Sequence, residues 1–206
     1  MSIGDAEIKT QERVIRFFKD PEILGYQYIG NLSDYQNKNI KEDRLRQYLR
    51  LKGYADKLID AAVMQLQQEA GNLSRGVYDA NKTVYSRLKY GIPVSESPEK
   101  PPVTVELIDE TNPLNNDFAI AEEVTVVEQQ EKRPDLVIYL NGIAVAVIEL
   151  KRSSISVSEG IRQNLTNQKN SFIQGFFSTM QFCMAGNESE GLRYGTLLTG
   201  EKFYME

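Results

Sequence analysis

RPDLVIYLNGIAVAVIELKRS, residues 133–153, reads as two apolar strands joined by Asn141-Gly142, with Asp135 opening one and Glu149-Leu150-Lys151 closing the other. Side chains alternate along a strand, so Glu149 and Lys151 share a face. Register decides whether Asp135 joins them. A two-residue Asn-Gly turn pairs Leu140 with Ile143 and Asp135 with Ile148, which sets Asp135 on the opposite face. A three-residue loop, Leu140-Asn141-Gly142, with its glycine left-handed in a bulge, pairs Tyr139 with Ile143 and Asp135 with Val147. Asp135 and Glu149 then become diagonal neighbours about 7–8 Å apart at the backbone. The sequence reading favours this bulged loop or an equivalent irregularity.

Two converging carboxylates suit Mg²⁺, which keeps several waters, lowers the pKa of one of them and offsets phosphate charge. A lysine two positions beyond the glutamate can orient an attacking water and balance transition-state charge. Leu136, Ile138, Ala146 and Ile148 fall on the side away from such a site, and Val137, Val145 and Val147 on the near side. Strands apolar on both faces belong in the middle of a sheet covered by helices. The same segment also reads as a hairpin with charged ends in solvent. Against that, both acidic residues adjoin long apolar runs, where an unpartnered charge is costly.

Composition narrows the chemistry further. The chain has 206 residues, 41% of them hydrophobic, and no histidine. Imidazole-based acid–base catalysis, histidine-activated nucleophiles and histidine zinc sites are therefore excluded. A single cysteine, Cys183, rules out an internal disulfide and reads as a small buried hydrophobe in a reducing compartment. With 24 basic and 29 acidic residues the net charge of -5 gives no global attraction to nucleic acid, so DNA binding needs a local basic surface. No run approaches the roughly 20 apolar residues of a membrane span, and MSIGDAEIKTQER lacks a secretory core, so a cytoplasmic protein is expected.

Along the chain the pattern changes near residue 92. Before it, apolar stripes predict helices: Ile8, Val14, Ile15 and Phe18 from about Asp5 to Lys19; Leu45, Tyr48, Leu49 and Leu51, then Leu58 to Leu66; and Val77, Val84, Tyr85 and Leu88. A polar loop, NLSDYQNKN, separates the first two blocks. GIPVSESPEKPP, residues 91–102, holds four of the seven prolines and reads as a connector. Beyond it come short β-branched and aromatic runs, VTVELID, DFAIAEEVTVV, LVIYL, IAVAVIEL, STMQFCMA and LRYGTLLT, interrupted by one helix opening at a capping box, Ser156 to Glu159. The domain expectation is a first helix and loop over 1–37, a helical insertion over 38–91 and a core over 92–206.

Arg133-Pro134-Asp135, the apolar strand, Asn141-Gly142 and Ile148-Glu149-Leu150-Lys151 resemble the N-terminal nuclease region of the R subunit of type I restriction endonucleases, within the PD-(D/E)xK nucleases. The likeness extends to Asn115-Asn116-Asp117-Phe118 and to Arg193-Tyr194-Gly195-Thr196, roughly residues 112 to 199; the helical block over 38–91 is not matched by it. It implies an α/β fold, a mixed central sheet flanked by helices with an added N-terminal helical block. It also implies an endonuclease in which Asp135 and Glu149 bind Mg²⁺, with Mn²⁺ as a substitute, and Lys151 assists the attack. Members often carry a glutamine followed four positions later by tyrosine on the next helix. Gln163 suits the glutamine place, but Asn167 stands where the tyrosine would be, and Gln168 with Phe172 is a competing pair. Gln163 and Asn167 share a helix face and could contact DNA backbone or simply face solvent.

Glu12 is comparable to an acidic residue that some such nucleases place near the metal, although a lone helix glutamate is more often solvated. Lys132, Arg133, Arg152, Arg162 and Lys169 form either a phosphate-binding rim or a solvated one, and Glu122-Glu123 reads as strand decoration. The implied whole subunit continues into an ATP-driven translocase and works with methylation and specificity subunits on double-stranded DNA. No G-x-x-x-x-G-K-[ST] loop occurs here, so ATP belongs to that other portion and this chain looks like an N-terminal part. Two rival readings stay open: a non-catalytic module docking to DNA or partner subunits on the same fold, and a stand-alone repair or recombination nuclease.

Overall fold

The structure, a computed structural model, describes residues 3–95, 97 and 99–206, with side chains from residue 8 onward; residues 96 and 98 of the expected connector lie outside the described residues. The first amphipathic run forms α1, Ile3–Lys19, stopping two residues before Pro21. Ile15 is buried, with Val14 and Phe18 packed beside it, but Ile8 of the expected stripe is exposed. A short strand the sequence reading passed over follows, β1, Gln27–Asn31. Its polar ends and Gly30 mask the pattern, because an edge strand need not be apolar on both faces.

The expected helices appear as α2, Glu42–Leu51, α3, Asp56–Gly71, and α4, Val77–Tyr90. They pack with a small hairpin, β2, Ile92–Val94, and β3, Val103–Val105, around Leu45, Leu49, Ile59, Leu66, Ile92 and Val105. Each such fully buried aliphatic side chain contributes about 1.5–3 kcal/mol. Leu51 and Tyr85, expected on the stripes, face solvent instead.

The remaining strands are β4, Phe118–Glu122, β5, Val126–Val127, β6, Glu131–Lys132, β7, Leu136–Leu140, β8, Ile143–Leu150, β9, Phe182–Asn187, and β10, Gly191–Gly195. Helix α5, Val157–Asn167, crosses from β8 to its parallel neighbour β9. Six strands form one mixed sheet in the order β1-β4-β7-β8-β9-β10, with β7 and β8 at its centre, as their two-sided apolar pattern requires. α1 covers one face through Ile15 against Ile120, Leu136, Ile138 and Ile148. On the other face Val137, Tyr139 and Val147 meet Phe176 and Phe177, while α5 lies over Ala185 through Val157 and Ile161.

The central hairpin corrects the expected loop. Leu140 pairs with Ile143 across a two-residue turn, with Asn141 at φ 51° and Gly142 at φ 82°, the positive values that hairpin turns of this kind demand. The required irregularity lies one step away: Tyr139 faces Ala144 while Ile138 faces Ala146, leaving Val145 without a partner on β7. This bulge shifts the register by one residue, so Leu136 pairs with Ile148, and Asp135 comes opposite Glu149 rather than diagonal to it. Val145 is the exception to the expected faces, packing with the α1-side and helical clusters instead of the site side.

Candidate active site

At the open end of the β7–β8 hairpin the two acidic residues meet. Asp135 precedes β7, and its Oδ2 accepts the Leu150 N–H at 2.6 Å, which fixes the carboxylate against β8. Glu149, near the end of β8, is fully buried. Its pKa is raised well above the usual carboxylate range, first by burial and then by the charge of Asp135, with Lys151 opposing the shift and a hydrogen bond with Asp135 and the charge of Glu123 adding to it. Lys151 continues the strand direction, its N–H bonded to Gly186 O at 2.9 Å.

Helix α5 supplies the next contact. Ser156 caps it by accepting the Ser158 N–H at 3.3 Å, half of the expected capping box; the Glu159 carboxylate pairs with Arg162 instead. Gly160 allows close approach to the sheet, since a β-carbon there would lie 2.9 Å from Ala185 Cβ and 3.5 Å from Glu149 Cβ. One turn on, Gln163 donates from Nε2 to Glu149 Oε2 at 2.7 Å. Of the sequence-predicted set, Asp135, Glu149, Lys151 and Gln163 are thus brought together. Asn167 stays nearby, while the competing Gln168 is buried, accepting the Leu198 N–H and reaching Cys183 Sγ, a structural role.

Two clefts flank this group. One, of about 640 Å³, is lined by Gln11, Glu12, Glu122, Glu123, Arg133 and Asp135 among others. The other, of about 760 Å³, includes Lys132, Arg133, Lys151, Arg162, Gln163 and Asn167. Acidic groups collect on one side and basic ones on the other, with Arg133 common to both. Glu12 does line the acidic side, from an exposed position on α1. Within the basic rim, Arg162 is tied to Glu159 and Glu201, and the Lys132 amine lies over the Phe172 ring at 4.9 Å.

Sequence reasoning missed Gln11 and undervalued Glu123. Gln11 Nε2 donates to Glu122 Oε2 at 2.9 Å and to Glu123 Oε1 at 3.2 Å. The signal was present: Gln11, Ile15 and Phe18 lie on one helix face, so a polar residue stood in the apolar stripe. Glu122 is further held by the Tyr28 hydroxyl at 2.6 Å and serves the fold. Glu123 instead pairs with Arg133 at 2.7 Å.

The motifs Asn115-Asn116-Asp117 and Asn141-Gly142 belong to the opposite end of the hairpin. Buried Asn141 donates to Leu107 O and Asn116 Oδ1, both at 2.8 Å, and accepts the Asp117 N–H at 2.7 Å. Arg193-Tyr194-Gly195 form the edge strand β10, two strands from β8. Their contribution is architectural.

The donor set fits a hard divalent cation. Glu149 Oε1 is buried with no hydrogen-bond partner, and Asp135 offers a second carboxylate opposite it. Mg²⁺ is commonly held by one or two carboxylates with waters completing its shell. Among the described residues no group of three or more acidic, cysteine or histidine side chains is placed to hold a metal.

The chain is similar in sequence to known proteins. Residues 7–203 match the family described as type I restriction enzyme R protein N terminus. A protein of Methanocaldococcus jannaschii carrying the provisional name type I restriction enzyme MjaIXP endonuclease subunit is 32% identical over 96 residues, 43% of this chain and 9% of that relative. The chain therefore corresponds to a small fraction of that relative's length.

Proposed function

Because this chain belongs to the family of type I restriction enzyme R protein N termini, we propose that it is a divalent-metal-dependent endonuclease domain hydrolysing DNA phosphodiester bonds. The observation that carries the reading is Glu149: a fully buried carboxyl group with one unpartnered oxygen, set opposite Asp135. Burying one carboxyl group beside a second costs stability, and a bound cation would offset that cost.

In this reading Asp135 and Glu149 hold Mg²⁺ or Mn²⁺, which supplies an activated water and a counter-charge to the phosphate. Leu150 N–H fixes Asp135, and Gln163 fixes Glu149 Oε2, leaving Oε1 for the ion. Lys151 places a positive charge beside the pair, where an attacking water would be oriented and a pentacoordinate phosphorus would gather negative charge. The basic cleft takes the DNA backbone, and Gln163, at its border, links backbone placement to Glu149. Duplex DNA and the methylation and specificity subunits of a restriction complex are the proposed partners, in the cytoplasm. ATP is needed only by a motor portion outside this sequence.

Mn²⁺ titration with the 206-residue chain, followed by incubation with plasmid DNA, tests the reading. Wild type binds the ion, and Asp135→Ala lowers ion affinity by more than about 100-fold and abolishes cleavage. Equal, negligible ion binding by both proteins, with DNA binding intact, replaces the nuclease reading by the docking module.

A further inference from the structure

Arg133 is the one side chain named above that borders both clefts, and its Nε holds Glu123 Oε2 at 2.7 Å. Its guanidinium, more than half exposed, has the planar donor fork that suits phosphate. Glu123 is set beside the metal pair by its backbone: it adopts φ 51°, uncommon for a residue with a side chain, and its N–H bonds Asp135 O at 2.8 Å. Its carboxylate is restrained by Arg133 on one oxygen and by Gln11 on the other. Among the described residues it belongs to no group of three acidic side chains placed to hold a metal, although its charge reaches Glu149.

Resting on the nuclease reading, we propose that Arg133 and Glu123 form a latch on the metal site that a DNA phosphate opens. In the DNA-free protein Arg133 neutralises Glu123 and keeps it out of the Asp135–Glu149 pair. A backbone phosphate entering the basic cleft competes with Glu123 for the guanidinium, because the Arg133 side chain is more than half exposed and borders that cleft, while the Glu123 side chain it holds is largely buried. Freed of Arg133, Glu123 adds a third carboxylate's charge to the site, with Gln11 as its pivot. DNA and metal then bind with positive coupling, and by linkage each raises the affinity for the other equally. Glu123 and Arg133 are positioning residues in this scheme. The coupling keeps a nuclease domain poorly metallated until DNA is in place.

The test measures Mn²⁺ affinity by electron paramagnetic resonance, with and without a duplex made entirely of phosphorothioate linkages that resists cleavage. Wild type is expected to bind Mn²⁺ about tenfold more tightly with the duplex, about 1.4 kcal/mol of coupling. Arg133→Ala should already bind tightly without DNA and lose the coupling, whereas Arg133→Lys should retain part of it. Glu123→Gln should bind weakly in both conditions. Identical Mn²⁺ affinities for wild type and Arg133→Ala without DNA, each lost in Asp135→Ala, overturn the latch and leave the nuclease reading intact. Absence of Mn²⁺ binding by wild type in either condition overturns both.

Discussion

The two ends of the β7–β8 hairpin use polar residues in opposite ways. At the turn, Asn141 is fully buried with its side chain bonded to Leu107, Asn116 and Asp117, while Gly142 receives the start of α2, its carbonyl accepting the Lys41 N–H at 2.7 Å. At the open end, Glu149 is equally buried but keeps an oxygen without a partner, opposite another carboxylate. One end is a satisfied network that locks two cores together, and the other stores unfavourable electrostatics. Burial alone does not mark a candidate site; a buried carboxyl group with an unpartnered oxygen beside a second carboxylate is what sets the open end apart.

Breaking the satisfied end should have the largest effect. Gly142→Ala places a methyl group 2.6 Å from Lys41 O and 2.8 Å from Leu45 N at φ 82°. We expect a loss of about 3 kcal/mol or more in urea denaturation, with α2 displaced from the turn. A variant of wild-type stability would show that the turn and helix are only loosely docked.

A pH comparison sharpens the contrast, because the ends carry carboxyl groups shifted in opposite directions. Asp109 beside the turn is held well below its ordinary 3.8 by hydrogen bonds from Asn115 and the Asn112 N–H and by Lys52. Its contribution to stability is present above that ordinary value and is lost as pH falls through the depressed one. Glu149 is raised above 4.5 by burial and Asp135, so its contribution is present at low pH and is lost as pH climbs through the raised value. In melts of the metal-free protein, Glu149→Gln should therefore be more stable than wild type at neutral pH, with the gap closing in acid. Asp109→Asn should be less stable at neutral pH, its gap also closing in acid. Deviations of the same sign for both variants would contradict the assignment of the two ends.

The smallest effect is expected at Gly160. Alanine gains helix propensity there of about 1 kcal/mol but presses on Ala185 Cβ at 2.9 Å, so stability should change by less than about 1 kcal/mol. The displaced α5 carries Gln163 away from Glu149, and Mn²⁺ affinity should fall several-fold. Unchanged ion affinity would mean that Gln163 does not fix Glu149.

Much of this was legible in the residues. Alternation put Glu149 and Lys151 on one face, the two-sided apolar runs put β7 and β8 at the centre, and the fourteen-residue spacing from Glu149 to Gln163 brought α5 back over the strand. The position of the bulge was not legible. Val145 looks like any strand valine, and its place is set by neighbours distant in sequence, including Gln181, whose N–H takes the Val145 carbonyl at 2.7 Å. Gln11 and Glu123 were obscured for the same reason, being 112 residues apart in sequence.

By itself, then, the sequence excluded imidazole chemistry through the absence of histidine, and the period-two alternation of a strand put Glu149 and Lys151 on one face. Only the tertiary structure decided that Asp135 faces Glu149, that Arg133 spans two clefts and that Glu123 stands beside the pair. Such placements depend on a one-residue shift in pairing and on contacts across the whole fold, which local pattern does not encode.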